Sequence, residues 1–144
     1  MNETPNGLLP ASIASLGPDA STAPFWEAVK DHRLCFARCT SCGAFHYPAL
    51  PFCGECLTQD VEWVQSSGDA TLYSFTIIRH AVVPELAAYV PYCLAVVDVD
   101  DCPGVRMMTN VVGADFDALA VGQKLKVYFH DVNGEVTIPR FTPA

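Results

Sequence analysis

The sequence is short of charge, and shorter still of basic residues. Charged residues make up 17% of the 144 positions, and 8 Lys and Arg stand against 16 Asp and Glu, which gives a formal net charge of -8. A soluble domain typically carries about 25% charged residues. An acidic surface is repelled by nucleic-acid phosphates and by anionic lipid headgroups. We therefore expect neither nucleic acid nor a membrane among the partners of this protein.

Long apolar runs are also absent. A helix that spans a bilayer needs about 20 apolar residues, and the longest candidate stretches are broken by Pro84, Pro91 and Asp98. The first 24 residues lack both the basic start and the apolar stretch of a secretory signal. We expect a cytoplasmic protein. Its hydrophobic share of 51% predicts a folded chain with a core of its own.

Motifs for self-sufficient catalysis are missing as well. The sequence has no G-x-S-x-G, no P-loop and no G-x-G-x-x-G, and its four histidines are scattered without the partners that a general base requires. Cys102 follows three aspartates, which raise a thiol pKa. Cys35 and Cys93 stand in apolar runs, where an inert buried thiol is the usual case. We predict no catalytic residue in this chain.

Cysteine, by contrast, is plentiful. Seven cysteines in a chain without an export signal disfavour a disulfide framework and point to a metal. Two C-x2-C pairs, Cys39 with Cys42 and Cys53 with Cys56, are separated by ten residues, and each can present two thiolates from one turn. Four thiolates close the coordination sphere, so we predict one structural Zn²⁺. Iron on the same four thiolates and a redox dithiol are the alternatives.

The chain divides into three predicted regions. Residues 1–24 are interrupted by Pro and Gly every few positions and predict a flexible arm. Residues 25–66 predict a short helix over 25–31 followed by a zinc ribbon, with strand-like pieces at LCFAR (34–38) and FHYP (45–48). Residues 67–144 predict a β-barrel. Metal binding should supply most of the folding free energy of the ribbon, since that module has few apolar residues.

The barrel prediction depends on five runs of β-branched and aromatic residues. They are TLYSFTII (71–78), YCLAVVDV (92–99), VRMMTNVV (105–112), KLKVYFHD (124–131) and EVTIPRF (135–141). Turn residues close each run, and residues 114–119, between the third and fourth runs, predict a single helical turn. The pattern matches the five-stranded OB-fold. The predicted fold is therefore mainly β, with an N-terminal helix and a rubredoxin-like zinc ribbon followed by an OB-fold barrel.

Aromatic residues crowd the small metal module beyond what it can bury. Such residues are the usual anchors of protein interfaces. Packing of the ribbon against the barrel is the alternative role, and it applies most to Trp63. The candidate interface residues are Phe25, Trp26, Phe45, Tyr47 and Phe52.

Taken in order, these features resemble the DUF35 family of acyl-CoA-associated zinc-ribbon and OB-fold proteins. The resemblance runs from about residue 25 to residue 144. It departs from the family pattern at Ala49, where a second Pro is common, and at Ala70, where a Gly is common. The matching segments are FWEAVKDHRL (25–34), CTSCG (39–43), FHYPALPFC (45–53), TLYSFT (71–76), PYCLAVVDVD (91–100), VRMMTNVVG (105–113), LAVGQKLKVYF (119–129) and IPRF (138–141).

This resemblance implies a non-catalytic accessory subunit. Family members are partners of thiolase-fold enzymes, including thiolase-like aldolases of steroid side-chain breakdown and acyltransferases, or of hydratases, all acting on acyl-CoA thioesters. The catalytic residues then belong to the partner, and the barrel offers a surface for the CoA portion at the shared interface. A stand-alone module that binds acyl-CoA or another small ligand is the main alternative. A single-stranded nucleic-acid binder is a weaker one.

Overall fold

The computed structural model describes residues 4–13 and 17–144. Residues 1–3 and 14–16 lie outside the described residues, and with them part of the segment predicted to be flexible. One helix, α1 (Ala23–Lys30), precedes eight strands. The strands are β1 (Cys35–Cys39), β2 (Phe45–His46), β3 (Val61–Gln65), β4 (Asp69–Ile78), β5 (Tyr92–Val99), β6 (Arg106–Val111), β7 (Lys124–Asp131) and β8 (Thr137–Pro143), with 3-10 turns at Ala11–Ile13 and Pro84–Leu86.

Strands β1 to β3 form a small antiparallel sheet in the order β2-β1-β3. The central strand β1 ends at Cys39, so the first cysteine pair begins at the C-terminal end of this strand. Strand β2 lies within the predicted piece at 45–48, and β1 overlaps the piece at 34–38 but begins and ends one residue later. Strand β3 was not predicted, because its five residues are stabilised by pairing with β1 across a gap of more than twenty residues.

Strands β4 to β8 close a barrel in the order β4-β5-β6-β8-β7, with β6 and β8 parallel and the other neighbours antiparallel. Strand β5 shows the alternation expected of a barrel wall, since Cys93, Ala95, Val97 and Val99 are buried and the intervening residues are not. Strand β4 pairs with both β5 and β7, and an irregularity between Leu72 and Ser74 bends it. The predicted mainly β fold with a five-stranded OB-fold barrel is confirmed.

Residues 114–119 differ from the prediction. They form a hydrogen-bonded turn, in which Ala118 N donates to Asp115 O at 3.1 Å, and no helix. The Asp115 carboxylate accepts a hydrogen bond from the backbone N–H of Asp117 at 3.0 Å. An aspartate that bonds its local backbone in this way favours a turn over a helix.

Helix α1 closes one end of the barrel and joins the ribbon to it. Phe25 and Val29 of the helix and Phe36 of β1 belong to the same buried cluster as Leu72 and Phe141 of the barrel. Pro24 stands in the first turn of the helix, where its missing N–H costs no hydrogen bond. The ribbon and the barrel thus share one core.

The C-terminal end of α1 is fastened to β7. His32 has a left-handed φ of 56° and donates from Nε2 to Asp131, with distances of 2.9 and 3.0 Å to the two carboxylate oxygens. Its ring stacks on Phe129 at 5.1 Å with the planes 4° apart. Thr137 donates a second hydrogen bond to Asp131 at 2.7 Å. We call these residues the helix latch.

The connection between ribbon and barrel, residues 66–68, is fixed by Asp101. Its carboxylate accepts a hydrogen bond from the Ser66 hydroxyl at 2.6 Å and another from Ser67 N at 2.7 Å. Gly68 follows with φ 83°, and a Cβ on it would lie 2.3 Å from Val127 Cγ1. Glycine is therefore required here for two reasons, the left-handed backbone and the close approach of β7.

The described N-terminal residues lie along the barrel. Asn6 Nδ2 donates to Ala114 O at 3.0 Å, and Gly113 N donates to Asn6 O at 3.0 Å. This contact brings the segment beside the end of β6. The flexibility of residues 1–24 stays a prediction.

Candidate metal centre and aromatic surface

The four cysteines of the two C-x2-C pairs converge on one point. Their Sγ atoms all lie within 4.8 Å of one another. The distances from Cys39 to Cys56 and from Cys42 to Cys53 are both 3.6 Å between Sγ atoms. A Zn–S bond of about 2.3 Å in a tetrahedron places the sulfurs about 3.8 Å apart. The donor set and its spacing therefore fit a tetrahedral zinc ion.

Two similar turns present these sulfurs. Gly43 N donates to Cys39 O at 2.9 Å in the first, and Leu57 N donates to Cys53 O at 3.0 Å in the second. Both turns end on a left-handed residue, with φ 78° at Gly43 and 65° at Leu57. Glu55 N also points at Cys53 Sγ, at 3.4 Å. Backbone N–H groups directed at sulfur stabilise the thiolates that a metal requires.

Thr58 belongs to the centre although the cysteine spacing does not reveal it. Its hydroxyl lies 3.4 Å from Cys39 Sγ and 3.2 Å from Cys56 Sγ. Hydrogen bonds, of which that from Thr58 contributes most, lower the pKa of Cys39 to about 6. A hydroxyl residue two positions after the last cysteine is the sequence signal that marks this role.

The sequences of the two modules match known families. Residues 26–62 match the family model "ChsH2, rubredoxin-like zinc ribbon domain", and residues 63–130 match "ChsH2, C-terminal OB-fold domain". The two matches are contiguous and occur in the order seen in the structure. The chain belongs to the ChsH2 (DUF35) family. As a zinc-ribbon member of that family it carries one structural zinc, as predicted.

Three curated proteins are similar to this DUF35 chain. A probable enoyl-CoA hydratase alpha subunit of Thermomonospora curvata is 33% identical over 121 residues, covering 83% of this chain and 37% of the relative. A 3-oxo-4,17-pregnadiene-20-carboxyl-CoA hydratase alpha subunit of Mycobacterium tuberculosis is 29% identical over 130 residues, covering 90% and 40%. The chain thus spans about two fifths of both hydratase subunits. A DUF35 domain-containing scaffold protein of Methanothermobacter thermautotrophicus is 26% identical over 116 residues, covering 79% and 85%.

Two solved structures share the whole architecture. A chain of the structure titled "Ltp2-ChsH2(DUF35) aldolase" superimposes with a TM-score of 0.80 at 29% identity, covering 90% of this chain and 98% of that one. A DUF35 protein of unknown function from Sulfolobus solfataricus superimposes with a TM-score of 0.64 at 19% identity, covering 88% and 85%. The second match supports the fold alone. The first matches almost the entire DUF35 chain of an aldolase assembly.

The DUF35 ribbon and α1 border a small aromatic recess with a cavity volume of about 50 Å³. Phe25 forms its base, in contact with Trp26 at 5.0 Å and Tyr47 at 5.5 Å between ring centroids. His46 lines it too, and its Nε2 atom is buried without a hydrogen-bond partner among the described residues. The lining residues are Thr22, Phe25, Trp26, Phe36, His46, Tyr47, Pro48, Ala49 and Trp63.

The five aromatic residues predicted at an interface differ in exposure. Phe25 is only 5% exposed and packs in the shared core, so it supports the surface from below. Trp26 and Tyr47 are half-buried in the lining of the recess, and Phe45 is half-buried outside it, against the Arg38 guanidinium. Phe52, between the cysteine pairs, is 47% exposed. Trp63 lines the same recess and packs against the shared core, which connects the ribbon to the barrel.

The remaining thiols do not take part in the metal centre. Cys35, Cys93 and Cys102 are all buried. Burial raises the pKa of each, and burial together with Asp101 raises the pKa of Cys102 to about 11. These thiols are protonated at neutral pH and poorly nucleophilic.

Within the described residues, no helix is long and apolar enough to cross a membrane.

Proposed function

We propose that this chain is a non-catalytic subunit that binds and stabilises a thiolase-fold partner acting on acyl-CoA thioesters. A thiolase-like aldolase of steroid side-chain degradation is the preferred partner, and an acyltransferase is the other candidate. The observation that carries the proposal is the superposition on 98% of the DUF35 chain of an aldolase structure. A relative named as a hydratase subunit for a pregnadiene-carboxyl-CoA supports the steroid substrate class. Such a complex belongs in the cytoplasm.

The chemistry of the chain supports a non-catalytic role. The four ligand cysteines complete the zinc coordination, so no position is left for water or substrate. The other three thiols are buried. His32 is engaged by Asp131 in the helix latch. We propose that the catalytic residues belong to the partner. The complex, and not this chain alone, would then have retro-aldol lyase or acyltransferase activity.

We propose the aromatic recess and Phe52 as the partner surface, on the ribbon unit of residues 25–66. The recess is apolar and open, and the aromatics around it are held by contacts to Phe25 and Phe36. Rigid, half-exposed aromatic side chains lose little entropy when a partner covers them. The barrel unit, residues 67–144, then faces the bound acyl-CoA at the shared interface.

Co-expression with a thiolase-like protein encoded beside this chain tests the proposal. The expected result is one co-purifying complex with lyase or acyltransferase activity that neither protein shows alone. F52A should reduce complex formation at least about tenfold, the loss expected for one interface anchor. M108A is the matched control, since Met108 is also exposed but lies on the barrel strand β6. Equal losses for the two variants would contradict a ribbon interface.

Calorimetry with CoA esters on the isolated chain distinguishes the subunit from a stand-alone binding module. We expect no micromolar binding without the partner. Micromolar binding by the isolated chain would favour the stand-alone module. A full-length chain that leaves the activity of the thiolase-like protein unchanged would overturn the subunit proposal.

A further inference from the structure

A buried arginine lies on β8 without a carboxylate partner. Arg140 is only 8% exposed. Within residues 4–13 and 17–144, no Asp or Glu side chain lies within ion-pair distance of it, whereas six other Lys and Arg side chains have such a partner. A guanidinium stays charged in proteins. An uncompensated buried charge is costly, so such a group usually marks the place where an anion is bound.

One edge of the Arg140 guanidinium is free. Nη1 donates to the side-chain oxygen of Asn110. Nε is buried and makes no hydrogen bond, and no hydrogen bond joins Nη2 to the described residues. The N–H groups of Nε and Nη2 point in parallel and form the fork that binds two oxygens of one carboxylate or phosphate.

In Arg106, the same two N–H groups are already occupied by a carboxylate of this chain. Its Nε donates to Asp98 Oδ1 at 2.7 Å, and its Nη2 donates to Oδ2 at 3.2 Å. The two arginines therefore differ in one respect that matters for anion binding. Arg106 carries its oxyanion within the chain, and Arg140 does not.

A second unpartnered nitrogen lies close to Arg140. Strand β8 pairs with β7 so that Tyr128 is opposite Arg140 and His130 is diagonal to it on the same face. Because Phe141 belongs to the core, this is the outward face of the barrel wall. His130 Nδ1 is buried without a hydrogen bond. Burial and the nearby charge of Arg140 lower the pKa of His130, so the ring is neutral and Nδ1–H can donate.

We infer that Arg140 and His130 form an oxyanion-binding site on the outer face of β7 and β8. The site takes a carboxylate or a phosphate group, held by Nε and Nη2 of Arg140 with Nδ1 of His130 as a third donor. A protein carboxylate and the phosphate ester of a small molecule share this chemistry. The site is a property of the chain alone, and its test needs no partner.

Nuclear magnetic resonance of the arginine Nε–Hε groups tests the site on the zinc-loaded, full-length chain. Sodium acetate and sodium phosphate are added separately, each against sodium chloride at equal ionic strength. We expect the Arg140 resonance to shift and saturate with at least one of the two oxyanions and not with chloride. The Arg106 resonance should stay unmoved, because Asp98 fills its fork. If the Arg140 shift saturates at a lower concentration of acetate than of phosphate, the ligand is assigned as a carboxylate. The reverse order assigns a phosphate ester.

R140K keeps the positive charge but removes the fork, and thermal stability provides its readout. We expect the oxyanion to raise the Tm of the wild-type chain and to act at about tenfold higher concentration on R140K, because one charge-assisted hydrogen bond is lost. R79K is the control, since Arg79 is exposed and paired with Asp117. Its response should equal that of the wild type.

Two results would overturn the site. One is an Arg140 resonance that neither oxyanion moves, and the other is equal stabilisation of R140K and wild type. Glu3 lies outside the described residues, so E3Q is included. A response that appears only in E3Q would show that the Glu3 carboxylate competes for Arg140. That result would overturn the proposal that Arg140 binds an external oxyanion.

Discussion

At the scale of single residues, the cysteine pairs are constrained by metal ligation and Gly68 by its backbone conformation and packing. The four thiolates are held by two short turns and by hydrogen bonds from Thr58 and Glu55. Val127 lies so close to Gly68 that a side chain at position 68 would clash with it. The first constraint is chemical and the second is steric, and each leads to a separate measurement.

Replacement of one ligand cysteine should release the zinc. We assign Cys39, Cys42, Cys53 and Cys56 as ligands and expect about one zinc per wild-type chain. C42S should lose most of the metal, because three thiolates leave the tetrahedron incomplete. C93S is the control, since Cys93 is buried in the barrel, and it should retain full zinc. Elemental analysis measures both, and full zinc in C42S would contradict the assignment.

Alanine at Gly68 should destabilise the chain by about 2–4 kcal/mol, from a strained left-handed backbone and from the clash with Val127. G104A separates the two contributions. Gly104 has a similar φ of 88° but has no atom within 4 Å of the added Cβ, so we expect about 1 kcal/mol there. Urea unfolding measures both variants. Equal losses would show that Val127 moves aside at no cost.

At the scale of elements, the helix latch holds the C-terminal end of α1 to β7. The hydrogen bonds from His32 and Thr137 lower the pKa of Asp131. A carboxyl with a lowered pKa in the folded state stabilises that state above its unfolded pKa of about 3.9 and loses this contribution as the pH falls through the folded value. The latch therefore strengthens α1 at neutral pH and weakens in acid.

D131N should accordingly lower the Tm at pH 7 by a few degrees. The effect is small because both partners are about half exposed and solvent screens the pair. The difference from the wild type should shrink as the pH falls through the lowered folded-state pKa of Asp131, and it should vanish once Asp131 is protonated in both states. D117N removes an exposed carboxylate bound only to Arg79 and is the control. A Tm difference for D131N that is independent of pH would show that the latch is not electrostatic.

Elements with local signals could be predicted from the sequence, and those with distant partners could not. The spacing of the cysteines and the β-branched runs predicted the ribbon and all five barrel strands, because both signals are contained within a few residues. Strand β3 escaped prediction since Val61 to Gln65 become a strand only by pairing with β1. The turn at Asp115 was mistaken for a helix because its side-chain hydrogen bond competes with helical bonding. Phe25 was placed on the surface, whereas the shared core buries it.

At the scale of the whole molecule, ribbon and barrel should unfold together. Phe25, Phe36 and Leu72 belong to one buried cluster that spans both modules. Removal of zinc with a chelator should therefore lower the Tm of a single transition, because the ribbon loses its metal and the barrel loses the helix that closes its end. Calorimetry measures the transition, and circular dichroism at a barrel-dominated wavelength is the independent probe. A barrel transition that is unchanged without zinc would show that the modules fold separately.

Closure of the barrel limits the ways in which another polypeptide can attach. Every barrel strand has a neighbour on both sides, but the pairing is uneven, since β4 pairs with β7 only over residues 69–71 and β6 pairs with β8 only at Val111. In the described residues, unpaired main-chain edges lie on β2 and β3 of the small ribbon sheet and on residues 73–78 of β4, on the side away from β5. A partner can extend a sheet of this protein at β2, at β3 or along residues 73–78 of β4, and where the barrel strands are paired on both sides it has side chains to recognise.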